Sequence, residues 1–342
     1  MPVTLVEVAA RAGVSPATVS RVLNGNYPVA ESTRQRVEEA VRELDYVVNA
    51  HARALLHATS GIVGVVLNDA SDPFFAGIAR GIQGAAAETS RLSVICNSEG
   101  DPEQEFAFLD LLRGHRADAV ILVGAAPEDE EYRAAATARA KGLRSSGTRL
   151  VLCGRPSPGD DAPGDVVTID NEAGSTAITR HLVELGHRRI AYVTGPDGRS
   201  TTTARLAGFR AALAEAGIAV DENLVVHGDF SRQAGREAVE RLLAAGRDFT
   251  AVLAANDLVA AGAVSALRAA GRRIPEDVSV AGYDNLPTAV DVWPNLTTVH
   301  VPLEEIGRKA VELAFGPADS RAVVTIPTEL LVRDSTAAPA AG

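Results

Sequence analysis

From Gly61 onward, short apolar runs recur about every thirty residues with helix-like stretches between them, and this spacing restricts the possible folds most. IVGVVL (62–67), LSVICN (92–97), AVILVG (119–124) and RLVLCG (149–154) are nearly continuous rather than alternating, as strands buried on both faces of a parallel sheet are. A second series follows in VVTID (166–170), RIAYVTG (189–195), LVVHG (224–228), AVLAAN (251–256) and VSVAGYD (278–284). Between the series lies RPSPGDDAPGD (155–165), rich in Pro, Gly and Asp and therefore read as the crossover from one lobe to the other. TTVHVP (297–302), a helix from Leu303 to Phe315 and a strand from Val323 to Ile326 complete the region. The expectation is two doubly wound α/β lobes, the first over about 61–157 and 291–316, the second over about 163–288 and 320–335. The tail, 336–342, is expected to be disordered. Two such lobes gather the carboxyl ends of their strands around a shared cleft suited to a small molecule.

The first sixty residues have a different texture. TLVEVAARAGVSPATVSRVL (4–23) reads as two short helices joined by a glycine turn. Thr4 with Glu7 three residues on forms a capping-box pattern, and Val8, Ala9 and Ala12 continue an apolar side. Gly13 supplies the turn; Ser15 caps the second helix and Pro16 occupies its first position, where a missing N–H costs nothing. Val14, Val19 and Val22 then face the first helix. A third helix runs from Glu31 or Ser32 to Leu44, with Val37, Ala40, Val41 and Leu44 at helical spacing. Two small helices with valine contacts are also compatible with plain core packing. Residues 49–57, NAHARALLH, can form one more helix capped by Asn49, but about two turns of helix are marginal in water without a partner.

Composition bounds the function classes. A chain of 342 residues has room for two or three domains, and 46% hydrophobic with only 4% aromatic residues fits an α/β protein packed with Ala, Val and Leu. No apolar run reaches membrane-spanning length and no signal-peptide pattern opens the chain, so a cytoplasmic location is expected. Cys96 and Cys153 have no CxxC or metal spacing and lie in strand-like runs, hence buried free thiols. The net charge of −11 argues against generic polyanion binding. Residues 1–60 carry six arginines against six acids, so the rest of the chain carries the whole excess. Any contact of the head with DNA must rest on particular arginines, with a shallow salt dependence for each monomer.

TLVEVAARAGVSPATVSRVLNG, TRQRVEEAVRELDY, ARALL, DPFFAGIARGI, LGHRRIAYVTGP, RLAGFRAAL, AANDLVAAG, VSVAGYDN and LTTVHVP occur in an order and spacing that resembles the lactose-repressor/galactose-repressor (LacI/GalR) family of transcription regulators over nearly the whole chain. The resemblance implies an all-α helix-turn-helix head (1–48), a hinge helix and linker (49–60) and an effector-binding and dimerisation core (61–335) similar to the type I periplasmic binding proteins. It implies a homodimer on palindromic double-stranded operator DNA, with the second helix of each head in a major groove and the hinge helices in the minor groove at the operator centre. A small-molecule effector in the cleft, a sugar, sugar derivative or nucleoside-like compound, would control operator affinity. By matched positions Pro16, Ala17 and Arg21 fall where base edges are read. Arg21 is suited to donate two hydrogen bonds to guanine, whereas Pro16 and Ala17 offer only apolar contact. Ser15, Thr18, Ser20, Asn24 and Thr33 fit phosphate contacts, with capping or helix packing as the alternative for each, and Thr4 is counted with the DNA-binding residues. Leu55 aligns with the family's wedge residue, Leu56 with hinge packing, and Arg53 and His51 fit phosphate contacts or solvent exposure. The chain departs from the family at Val48, where a proline is common.

In the cleft the resemblance places Phe74 and Phe75, one of which is expected to meet the ligand, with Arg199, Thr201, Arg205, Phe230, Asn256 and Asp284. Arginine near a helix start runs against the dipole, so an anionic or hydroxyl partner is expected there. Asp257 is read as a helix cap. Gly154 stands where sugar-responsive members often carry an acid. His187 is read as a residue at the start of a strand; neither it nor His181 has a nucleophile and acid at recognisable spacing, no metal cluster is apparent, and GPDGRS is no phosphate loop. No cofactor and no enzyme activity are expected. A transporter's solute-binding protein shares the two-lobed core but lacks such a head. An enzyme on a doubly wound sheet would need a catalytic constellation, and a regulator that binds DNA without any effector is the remaining alternative. A dimer is favoured over a tetramer because no leucine heptad follows the last strand.

Overall fold

The computed structural model describes residues 3–24, 28–46, 60–317 and 321–340. The chain divides into two compact units, residues 1–61 and 62–342.

Among its described residues the first unit has three helices, α1 (Leu5–Ala12), α2 (Pro16–Asn24) and α3 (Glu31–Glu43). The capping box forms as expected: Thr4 N–H donates to Glu7 Oε2 at 2.7 Å, and Glu7 N–H donates to Thr4 Oγ1 at 3.3 Å. Gly13 ends α1 at φ 64°, the left-handed value a side chain resists. Ser15 Oγ accepts from the Thr18 N–H at 3.1 Å and so satisfies an orphan donor of α2. Val8, Ala9, Ala12, Val19, Val37 and Ala40 form the buried centre, with Val14 and Val22 packed against it. α3 has no side-chain cap, its flanking residue being Ala30. The hinge segment expected at 49–60 lies, apart from Ser60, outside the described residues.

The second unit alternates strand and helix throughout. β1 (Ile62–Leu67), α4 (Pro73–Glu88), β2 (Leu92–Asn97), α5 (Pro102–Gly114), β3 (Ala119–Val123), α6 (Glu130–Ser145), β4 (Arg149–Cys153) and β5 (Asp165–Ile169) are followed by α7 (Asn171–Glu184), β6 (Ile190–Thr194), α8 (Ser200–Glu215), β7 (Val225–His227), α9 (Arg232–Ala244), β8 (Ala251–Ala254), α10 (Asp257–Ala269) and β9 (Ser279–Ala281). A short α11 (Thr288–Asp291), β10 (Thr298–His300), α12 (Leu303–Ala314), β11 (Val323–Ile326) and β12 (Glu329–Leu331) close the chain. One sheet has six parallel strands in the order β11-β5-β4-β3-β1-β2, the other four in the order β7-β6-β8-β9, and β10 and β12 form an antiparallel pair.

Two boundaries expected from sequence are corrected by this topology. β5 and β11 belong to the first sheet, since Val151 to Cys153 pair with Asp165 to Val167 and Val166 to Ile169 pair with Val323 to Ile326. The Pro/Gly-rich segment 155–165 is therefore a connection within the first lobe. It is pinned there by Arg321, whose guanidinium donates to Asp160 O at 2.7 Å, and by Asp165, whose carboxylate accepts from Ala322 N–H at 2.9 Å. The chain changes lobe after β5, after β9 and after β11. The tail is also ordered through residue 340, against expectation. Val280 N–H donates to Ser335 O at 2.9 Å, and Ala337 N–H donates to Ser279 Oγ at 3.0 Å, so residues 335–337 cover the edge of β9 that would otherwise expose unpaired backbone groups. His187, buried just ahead of β6, joins Thr250, Ser279 and the Ala337 carbonyl.

Helix pairs pack closely on both lobes. α9 and α10 cross at Gly235 and Gly262, where an added Cβ would stand 2.1 Å from Val259 O and 1.9 Å from Arg232 O respectively. The largest apolar cluster takes Val65 and Ile121 from the first sheet, Tyr192 and Leu253 from the second, and Val299 and Val301 from the segment between them. Cys96 and Cys153 are free and buried. Among the described residues no helix is long and apolar enough to cross a membrane.

Candidate functional sites in the head and the cleft

In the head, α2 turns Val19 inward and leaves Pro16, Ala17 and Arg21 exposed; Thr18 and Ser20 are half-buried beside them. Ala17 and Arg21 are one helical turn apart and so share a face. Thr4 and Ser15 are engaged in the caps described above, and the Thr18 hydroxyl lies 2.9 Å from Ser15 Oγ. Thr33 is half-buried in the first turn of α3. The Asn24 side chain, Arg53 and Leu55 lie outside what the structure describes.

The cleft lies at the carboxyl ends of the strands and has a volume of about 810 Å³, within the range that small-molecule sites occupy. Phe74 and Phe75 both line it, placed by Asp72, whose carboxylate accepts from Phe74 N–H at 2.8 Å and caps α4 ahead of Pro73. Their rings meet edge to face at 5.3 Å. Gly124 makes room for Phe75, since a Cβ there would stand 3.0 Å from its ring. From the second lobe come Phe230, Thr201, Asn256, Arg205 and Asp284.

Arg205 and Asp284 form a buried pair at 3.0 Å, each side chain 4% exposed. Arg205 Nε also donates to Asn171 Oδ1 at 2.9 Å, a further N–H donates to Ala255 O, and the guanidinium lies 3.6 Å from the Tyr283 ring centroid. The partner expected for this arginine is therefore supplied by the protein. Asp284 sits at φ 94°, a strained value for a non-glycine residue, between Gly282 and β10 with its N–H donated to Val299 O. Burial pushes its carboxyl above the usual range and the Arg205 charge opposes that. Asp72 is pushed up to about 6, first by burial, against the Phe74 N–H and with help from the charges of Asp284 and Asp69.

Two sequence expectations change. Asn256, not Asp257, caps α10: its Oδ1 accepts from Val259 N–H at 2.8 Å, and its Nδ2 donates to Phe230 O at 3.1 Å. Asp257 instead turns into the core to accept from Leu286 N–H at 2.6 Å and Thr298 Oγ1 at 2.7 Å. Arg199 does not line the cavity. It precedes α8 and bridges Pro127 of the first lobe, with its guanidinium donating to Gly100 O at 3.4 Å. Around it Glu128 N–H donates to Gly198 O at 3.0 Å and Thr203 Oγ1 to the Glu128 carboxylate at 2.7 Å, so this stretch ties the two lobes together beside the cleft. Arg155 points away from the cavity and is buried with Glu105 and Tyr132, donating to Glu105 Oε2 at 3.1 Å and Tyr132 Oη at 2.6 Å.

The cavity also contains polar residues that sequence reasoning passed over. Asn68 and Asp69 follow β1, Asn97 and Glu99 stand at the end of β2, and Asp229 follows β7. Their position after parallel strands was the available signal.

The family model described as bacterial regulatory proteins of the lacI family matches residues 4–49, and that described as periplasmic binding proteins and sugar binding domain of the LacI family matches residues 60–334. The chain belongs to the LacI family. A LacI-family chain of this make-up is a DNA-binding transcriptional regulator. The transcriptional regulator CelR of Thermobifida fusca is 37% identical over 97% of this chain and 98% of its own. The transcriptional regulator GalR of Escherichia coli is 36% identical over 93% of this chain and 90% of its own. Among solved structures, the Lac repressor dimer bound to operator and the anti-inducer ONPF superposes with a TM-score of 0.86 at 28% identity, covering 99% of this chain and 100% of that one. A CelR–cellobiose complex superposes with a TM-score of 0.72 at 35% identity, covering 97% and 99%.

Proposed function

We propose that this LacI-family regulator is a homodimeric repressor acting in the bacterial cytoplasm, whose grip on a palindromic operator is set by a sugar or nucleoside-like effector bound, and not turned over, in the interlobe cleft. The observation that carries the reading is the match of both halves: an operator-reading head and an effector-binding core in one chain, each covered by its family model. The exposed face of α2 supports Arg21 as the reader of guanine, with Pro16 and Ala17 as apolar contacts. Ser15, Thr18, Ser20, Asn24, Thr33 and Thr4 serve as backbone contacts or caps. Residues 49–57, too short to hold a helix alone, serve as the hinge on the operator, with Leu55 as the wedge and Arg53 on phosphate. Phe74, Phe75, Thr201, Arg205, Phe230, Asn256 and Asp284 form the effector wall.

Selection of bound duplexes from random DNA tests the reading, followed by titration of candidate effectors into the complex. An inverted repeat is expected, with a guanine whose discrimination falls by about 1–3 kcal/mol in Arg21→Ala. Leu55→Ala is expected to weaken operator binding while leaving effector affinity unchanged. Equal affinity for scrambled and inverted-repeat duplexes, with and without the metabolites, would sink the proposal.

A further inference from the structure

The cleft is acidic and rich in acceptors. Among the described residues five carboxylates line it, from Asp69, Asp72, Glu99, Asp229 and Asp284, against a single guanidinium, that of Arg205. That guanidinium is spoken for by Asp284, Asn171 and the Ala255 carbonyl. Arg199 lies outside the lining, its guanidinium on Gly100 O. Asp69 stays ionised, since the Ser71 hydroxyl and N–H hold its carboxyl below the usual range. Helix N-termini at the carboxyl ends of parallel strands are the usual anion sites of such folds. Here three of them are already capped by the protein: α4 by Asp72, α9 by Ser231 and α10 by Asn256. An anionic group entering this space would meet uncompensated carboxylates in a site where screening is weaker than at an open surface.

Accepting side chains call for a donor-rich ligand, and hydroxyl groups are the plainest donors that carry no charge. The apolar surfaces are aromatic and stand on both walls, Phe74 and Phe75 on the first lobe and Phe230 on the second, so the ligand must also present C–H faces to rings. A volume of about 810 Å³ is near the upper end of the roughly 300–1,000 Å³ that small-molecule pockets span, more than one saccharide ring needs. We infer that the effector is a saccharide of more than one ring that carries no anionic group, its hydroxyls donating to the cleft carboxylates and its faces stacked on Phe74, Phe75 and Phe230, and that phosphorylated or otherwise anionic sugars are excluded. This rests on the cleft being the effector site, as proposed above.

Calorimetric titration of the full-length protein tests it, using cellobiose, maltose, trehalose and sucrose, the 6-phosphate of each, and hypoxanthine and adenosine. At least one neutral disaccharide is expected to bind, and its phosphate ester to bind about 30-fold or more weakly at low salt, with the gap narrowing as salt is raised. In Asp69→Asn/Asp229→Asn, where the amide oxygens keep the turn contacts to Ser71 and Ser231, the gap should close by about ten-fold. A phosphate ester or a nucleobase binding as tightly as every neutral disaccharide overturns the inference and leaves the regulator reading intact. Binding of none of the probes also overturns it, and the operator selection then decides the regulator reading separately.

Discussion

Arg205 is held by groups of its own chain, Asp284, Asn171, the Ala255 carbonyl and the Tyr283 ring, so its charge is balanced before any ligand arrives. Removing one member of such a pair leaves the other charge buried without compensation, which costs about 3–5 kcal/mol. Arg205→Met is expected to lose that much in denaturant unfolding, and Arg205→Met/Asp284→Leu to recover more than half of it while still failing to bind effector. Asp257 supplies a pH signature. Burial pushes its carboxyl from an ordinary 3.8 to about 7, so the folded chain holds more protons than the unfolded chain between those values. Stability from this group therefore falls as pH rises from about 4 to about 7, and the deficit is complete above that. Burial lowers His181 and His187, which act in the opposite direction. The wild-type minus Asp257→Asn difference in thermal stability, followed from pH 4 to 8, isolates the aspartate, and Asp257→Asn should gain relative to wild type as pH rises. The Asn oxygen can keep the Leu286 N–H and its amide can donate to Thr298.

At the scale of elements, local chemistry and close approach act separately. α1 depends on the reciprocal Thr4–Glu7 cap, and Thr4→Ala is expected to cost about 1 kcal/mol in the melting of the head, with the core transition unmoved. α9 and α10 depend on their glycines. A Cβ at Gly262 would stand 1.9 Å from the Arg232 carbonyl, so Gly262→Ala must push the helices apart against backbone that cannot give way. The expected loss is about 1–3 kcal/mol by denaturation, although alanine is the better helix former. Propensity alone would predict the opposite sign, so the measurement separates packing from helix preference.

At the scale of the whole core, two sheets share one continuous apolar cluster and are tied beside the cleft by the Glu128–Thr203 bond and the Pro127–Arg199 bridge. An exposed bond of this kind is worth a fraction of a kcal/mol, so Glu128→Gln or Thr203→Val should weaken effector binding a few-fold through faster dissociation, with fold stability unchanged; stopped-flow release measures it. Most of the architecture was legible in the chain because burial on both faces gives parallel strands continuous apolar runs, and because caps and glycine turns are chemistry within a few residues. The capping box at Thr4, the turn at Gly13 and every strand of the core except β12 were written locally in this way. Lobe membership was not, since a Pro/Gly-rich connection reads the same whether it returns to its own sheet or leaves it, and only the pairing of β4 with β5 assigned it. The order of the tail depended on the open edge of β9, more than fifty positions away from Ser335. In the same way Arg199 and Asn256 were read as cleft residues and Asp257 as a helix cap, but the directions of their side chains followed from partners across the fold: Gly100, Phe230, and Leu286 with Thr298. Sequence by itself determined the family, most of the elements and part of the cavity's lining, because these depend on neighbours along the chain; which groups face the ligand and which are spent on the protein was decided by tertiary structure, because a polar atom takes the nearest partner in space.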